Sequence, residues 1–115
     1  MLESIIEFQK AGGHTVAYST ENHTPSVKDR ELRLSLIFEE LSELADAYGM
    51  NKVFTDMCEE HLHLTAETEN TFEFNKVEAL DALCDLSVVV NGGYAVSGFT
   101  DIAQEAYDET MRSNM

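Results

Sequence analysis

A carboxylate on the apolar stripe of a helix restricts this chain more than any other feature. Wound at about 100° per residue, the segment Arg33–Ala47 (RLSLIFEELSELADA) places Leu36, Ile37, Leu44 and Ala47 within about 60° of Glu40. Those four define the stripe expected to face a core. Arg33 and Glu43 fall on the same arc, while Glu39, Ser35, Ser42 and Asp46 make a polar flank. A buried carboxylate is strongly unfavourable unless it is paired or bound to a cation. Two of them a turn apart also repel each other, so a cation is expected beside them.

A second helix repeats the pattern. Val77–Val90 (VEALDALCDLSVVV) is apolar on nearly every side, which predicts a buried helix. Yet Glu78, Asp81 and Asp85 share one face, and Val88, Val89 and Gly92 continue it. Packing the two stripes together gathers Glu40, Glu43, Asp81 and Asp85, with Glu78 as a possible further ligand and Arg33 nearby. Oxygen-seeking Mg²⁺ fits such a set best, with Mn²⁺ as a substitute. The competing reading is a pair of solvated acidic faces on separate surface helices.

The rest of the chain reads as helices and loops. Residues 2–11 form a short helix stopped by Gly12–Gly13, and 14–27, which hold the only proline, form a loop. A long helix spans about Lys28 to Tyr48 and stops at Gly49. A shorter one covers about Lys52–Leu62, followed by a loop over 65–71. The apolar helix runs from about Phe74 to Asn91, with Gly92–Gly93 a close-packing site or kink and Gly98 the end. Thr100 or Asp101 caps a last helix reaching about Met111. No alternating strand is evident. The expectation is one all-α domain over 1–115, a bundle of about five helices completed by oligomerisation.

Charge narrows the partners. With 22 acids against 7 bases the net charge is −15, which argues against nucleic-acid backbones and anionic membranes. Two cysteines, Cys58 and Cys84, are too few for a disulfide framework, so reduced thiols and a cytoplasmic setting are expected. No apolar run is expected to reach membrane-spanning length, and the acidic start MLESIIEFQK is unlike a signal peptide. Cys58, His61 and His63 lack a fourth zinc ligand at a diagnostic spacing, so an exposed polar helix end is the preferred reading there. No phosphate-cradling glycine loop is present.

The strings LRLSLIFEELSELADAYG and DALCDLSVVVNGGYAVSG, with the opening IIEFQKAGGH and the terminal MRSNM, resemble the MazG-like, phosphoribosyl-ATP pyrophosphohydrolase-like family. The resemblance covers most of the chain outside 50–76. It implies an all-α, Mg²⁺-dependent hydrolase that cleaves an NTP or dNTP to the monophosphate and pyrophosphate. In that reading Glu40 and Glu43 match the family's E-x-x-E helix, with Glu39 as the extra acid often found before it. The second motif departs from the family pattern. Asp85 takes the aspartate position, but three residues before it stands Ala82, and Asp81 carries the acid instead. Glu78–Asp81 also spells E-x-x-D. The resemblance further implies that Arg112 and Asn114 close over the nucleotide, although Met111 replaces the histidine that often precedes that string.

The chemistry expected is attack of water on the α-phosphorus, with Glu39 or Glu43 as base. Metal would be held by Glu40, Glu43, Asp81 and Asp85, and phosphate would be met by Arg33 and Arg112. The alternatives are a phosphoribosyl-ATP pyrophosphohydrolase and a non-enzymatic acidic helical protein that binds a basic partner. An all-round apolar helix needs neighbours on every side. Leu80, Leu83, Ser87 and Val90 lie opposite the acids, and Leu32, Phe38 and Leu41 lie off the stripe of the first helix, so a homodimer is expected.

Overall fold

Five helices account for the secondary structure of the computed structural model, which describes residues 2–14, 16–17, 23–65 and 69–114, the side chains of 62–65 excepted. They are α1 (Leu2–Ala11), α2 (Val27–Ala47), α3 (Asn51–Thr65), α4 (Lys76–Val96) and α5 (Ala103–Asn114). No strand occurs among the described residues. The all-α expectation therefore holds. Parts of the expected loops over 14–27 and 65–71 lie outside the described residues, as does Met115.

The helices begin and end where local chemistry satisfies their free backbone groups. Ser26 caps α2, its hydroxyl oxygen accepting from the Asp29 N–H at 3.0 Å. Asn75 caps α4, its Oδ1 accepting from the Glu78 N–H at 3.1 Å. At the other end of α2 the Gly49 N–H donates to Asp46 O and the Met50 N–H to Ala45 O, both at 2.9 Å. The same pair of bonds closes α1 at Gly13 and α4 at Gly98. In each case the turning residue adopts a left-handed backbone, with φ of +69° at Gly49 and +83° at Gly98. A side chain in that conformation meets its own carbonyl, which is why glycine stands there.

Two boundaries differ from the sequence reading. The backbone of α4 passes through Gly92–Gly93 without a stop and ends at Val96. Thr100 and Asp101 sit in a turn instead of capping α5, whose first helical bond runs from the Ala106 N–H to Ile102 O.

The chain divides into two compact units, one of Met1–His23 with Phe74–Met115 and one of Thr24–Glu73. In the second unit α2 packs on α3, and the Phe38 and Phe54 rings meet with centroids 5.9 Å apart. In the first, α1 packs on α5, where Ile5 and Ile6 and the four-residue series Ala103, Tyr107 and Met111 are the better-shielded positions. The Tyr107 hydroxyl is enclosed and has no hydrogen-bond partner.

Among the described residues none is fully buried. The buried helix expected over Val77–Val90 is thus corrected: in the single chain every residue from Asp81 to Gly92 is exposed. Its apolar side chains outnumber the surfaces one copy offers them. The length of α4 also overturns a second expectation, because by length and composition it is able to cross a membrane. Asp81 and Asp85 lie within it, however, and an ionised aspartate at the centre of a bilayer costs about 2.5–3.5 kcal/mol. A protein neighbour suits this helix better.

The glycine stops give a direct test. Replacing Gly49 by Ala leaves the space around the new methyl empty, so the whole effect is backbone strain. Urea unfolding is expected to show a loss of about 1–2 kcal/mol, with no change in slope.

Candidate functional site

The acidic positions of α2 lie on the side that its own unit leaves open. Phe38 takes the contact with α3, and on a helix Phe38 is turned about 160° from Glu40. Phe38, set off the expected stripe, thus meets α3, while the stripe around Glu40 is shielded in part. Glu39, Glu40 and Glu43 are all exposed, and Leu44 beside them is 46% exposed. Leu36 and Ile37 are half-buried. Glu40 and Glu43 stand three residues apart, which brings their Cβ atoms to about 5–6 Å.

The acids of α4 form a second set in the other unit. Asp81 and Asp85, four residues apart, share one face with Glu78 toward the helix start. Their apolar flank is as open as they are, with Val88 at 69% and Val89 at 65% exposure. No ion pair or side-chain hydrogen bond engages Glu39, Glu40, Glu43, Asp81 or Asp85 among the described residues. Acids elsewhere are used locally: Asp46 accepts from Asn51 Nδ2 at 2.8 Å, and Asp56 pairs with Lys52 at 3.0 Å.

The basic residues are placed less favourably than their order in the chain implied. Arg33 precedes Glu40 by seven residues, about 10 Å along the axis, and pairs with neither motif carboxylate. Arg112 is held by Glu109, its Nη2 at 2.6 Å and Nε at 3.1 Å from Glu109 Oε2. Asn114 donates from Nδ2 to Thr110 O at 2.8 Å. The Arg-Ser-Asn string is therefore the last turn of α5. Releasing Arg112 to a phosphate costs little, since exposed pairs of this kind contribute about 0.2–1 kcal/mol.

Comparison with known protein families, with curated proteins and with solved structures finds no match. The residues themselves carry whatever is concluded about function.

Their chemistry fits a hard divalent cation in kind: two sets of carboxylate oxygens, with no imidazole in either. Among the described residues of either unit, though, no three His, Cys, Asp or Glu side chains come together to hold one ion. Neither set alone makes a metal site among the described residues. The weak zinc candidate fares no better. Cys58 and His61 lie on α3, and the side chain of His63 is outside the described residues.

Sequence reasoning passed over three residues. Asn75 was legible, because Asn followed three residues later by Glu78 is a helix-start signal. Glu109 was legible as the partner one turn before Arg112. Arg30, which binds a carbonyl 42 residues away, had no local signature.

A metal-binding role predicts a thermal shift. Millimolar MgCl₂ is expected to raise the Tm of the wild-type chain by several degrees, by preferential binding to the folded state. Differential scanning fluorimetry of a Glu40→Gln/Glu43→Gln/Asp81→Asn/Asp85→Asn variant is expected to show no such rise.

Proposed function

We propose that this chain is a Mg²⁺-dependent nucleoside triphosphate pyrophosphohydrolase that releases pyrophosphate and the monophosphate from an NTP or dNTP. The observation that carries the reading is the occurrence of two acidic sets, Glu40 with Glu43 and Asp81 with Asp85, on long helices whose apolar flanks stay uncovered. A solvated decorative face has no need of Leu44, Val88 and Val89 around it. The resemblance of the motif strings to the MazG-like family supports the same activity.

In this reading Glu40, Glu43, Asp81 and Asp85 are the carboxylates that would hold the metal. Bound Mg²⁺ supplies neutralisation of the polyphosphate charge and polarisation of the α-phosphate. Glu39 or Glu43 takes a proton from the attacking water as its oxygen bonds to the α-phosphorus. The bond from that phosphorus to the bridging oxygen breaks, and the electron pair leaves with pyrophosphate. Arg33 and Arg112 meet phosphate oxygens, and Asn114 gives a polar contact to the substrate. In a chain of charge −15, a polyphosphate enters only with its charge compensated.

One observation favours a second reading. The carboxylates are exposed in the single chain, as they are in a non-enzymatic acidic helical protein that binds a basic partner. That protein releases no pyrophosphate. Assay of an NTP and dNTP panel with MgCl₂ or MnCl₂ decides between them. Pyrophosphate release is expected from at least one nucleotide, with kcat/KM lowered roughly 10²–10³-fold in Glu40→Gln, Glu43→Gln or Asp85→Asn. Wild-type rates in all three variants would exclude these residues from catalysis.

We further propose that the active form is a homodimer, because the exposed length of α4 needs a neighbour. Light scattering is expected to give twice the 12.9 kDa of one chain. Leu83→Glu, placed away from the acidic face, is expected to return the mass to that of one chain. A wild-type mass of one chain with full activity would rule the dimer out.

A further inference from the structure

Within the unit Thr24–Glu73, the segment that follows α3 returns to the start of α2, and Arg30 binds it there. Arg30, half-buried in the first turn of α2, donates from Nε to Pro25 O at 3.2 Å and to Ser26 O at 3.4 Å. Its Nη1 and Nη2 both donate to Phe72 O at 3.3 Å. One part of the guanidinium thus grips the entry to its own helix, and the other grips a carbonyl 42 residues along the chain.

The gripped residue has an unusual backbone. Phe72 has a φ of +58°, and among the described residues no other non-glycine has a positive φ. A bulky L side chain crowds its own backbone in that region, so the extended region is its ordinary state. The ring is not what holds it, being 60% exposed. The Glu73 N–H donates to Thr71 Oγ1 at 3.2 Å and closes the turn locally, whereas the arginine fork engages the Phe72 carbonyl itself.

We propose that residues 69–73 are a strap with a two-state catch at Phe72. When the strap is closed, Phe72 is left-handed and its carbonyl is seated on the Arg30 fork. When it is open, Phe72 relaxes to the extended region and the carbonyl leaves the fork. The strain of the left-handed backbone and the net gain from exposed hydrogen bonds are of similar size, so loss of the fork tips the catch. A guanidinium suits this use because its planar donors reach carbonyls on two sides at once. The closed strap also fixes the entry of α2, since the same group holds Pro25 and Ser26, whose hydroxyl caps the helix. The device is internal to this unit and holds whether or not the chain hydrolyses nucleotides.

NMR of the intact, isotopically labelled chain reads the catch directly. The Phe72 HN–Hα coupling and its Cα and Cβ shifts distinguish left-handed from extended backbone, and exchange of the Glu73 amide reports opening. Arg30→Met keeps the stem and the helix propensity but removes every donor. It is expected to move the Phe72 values toward extended and to speed Glu73 exchange by about tenfold, with helix content unchanged by circular dichroism. Phe72→Gly, for which a left-handed backbone carries no penalty, is expected to slow Glu73 exchange several-fold, after correction for the intrinsic rate of the new sequence. Left-handed Phe72 values in Arg30→Met overturn the proposal, because the turn then holds itself. If that variant loses its helices, unchanged or faster Glu73 exchange in Phe72→Gly overturns it instead.

Discussion

An α-helix leaves its first N–H groups and its last carbonyls without partners inside the helix. In most small domains a packed interior decides how many residues join each helix, and end chemistry refines the result. Here no described residue is fully buried, so the ends themselves carry the specification. Ser26 and Asn75 satisfy the starts of α2 and α4, and Gly13, Gly49 and Gly98 close three helices with the same pair of backbone bonds. Apolar contact then selects faces, as Phe38 and Phe54 do between α2 and α3.

That order of influence explains the state of the acidic sets. With Phe38 turned toward α3, Glu39, Glu40 and Glu43 stay exposed to water. An electrostatic cost arises only when the apolar flanks are covered. Covering them without a cation buries charge, whereas neither set alone makes a metal site among the described residues. Under the proposed function, metal binding and burial of these helices are linked equilibria, and each would raise the apparent affinity of the other. A chain of charge −15 adds to the coupling, since copies repel until some of that charge is compensated.

Helix ends were the most legible part of the sequence, because glycine and cap residues act within a few positions of themselves. Gly49 and Gly98 end their helices as read, and Gly92–Gly93, read as a close-packing site or kink, lie inside α4. The first turn of α5 was misplaced because Thr100 and Asp101 have good cap chemistry but a tight turn claims them first. Periodicity correctly separated the two faces of α2 but gave no means to say which one its neighbour would take. It chose the Glu40 stripe, of which Leu36 and Ile37 are half-buried, while the aromatic contact with α3 falls to Phe38 on the other face. Burial of α4 was not readable at all: hydrophobicity reports what a helix prefers, not whether one copy of the chain contains enough surface to provide it. Arg30 escaped notice because hydrogen bonds to distant carbonyls leave no pattern in sequence.

The glycine pair inside α4 has a mechanical meaning. A methyl built at either position meets nothing within 4 Å, so neither glycine is there to make room in the single chain. What the pair does is weaken the helix locally, just after Val88, Val89 and Val90, whose branched side chains stiffen it. The helix is thus a rod of two grades. Its first half bears Asp81 and Asp85, and the stretch beyond Gly92 depends on the closing bonds at Gly98 and Phe99 to stay helical.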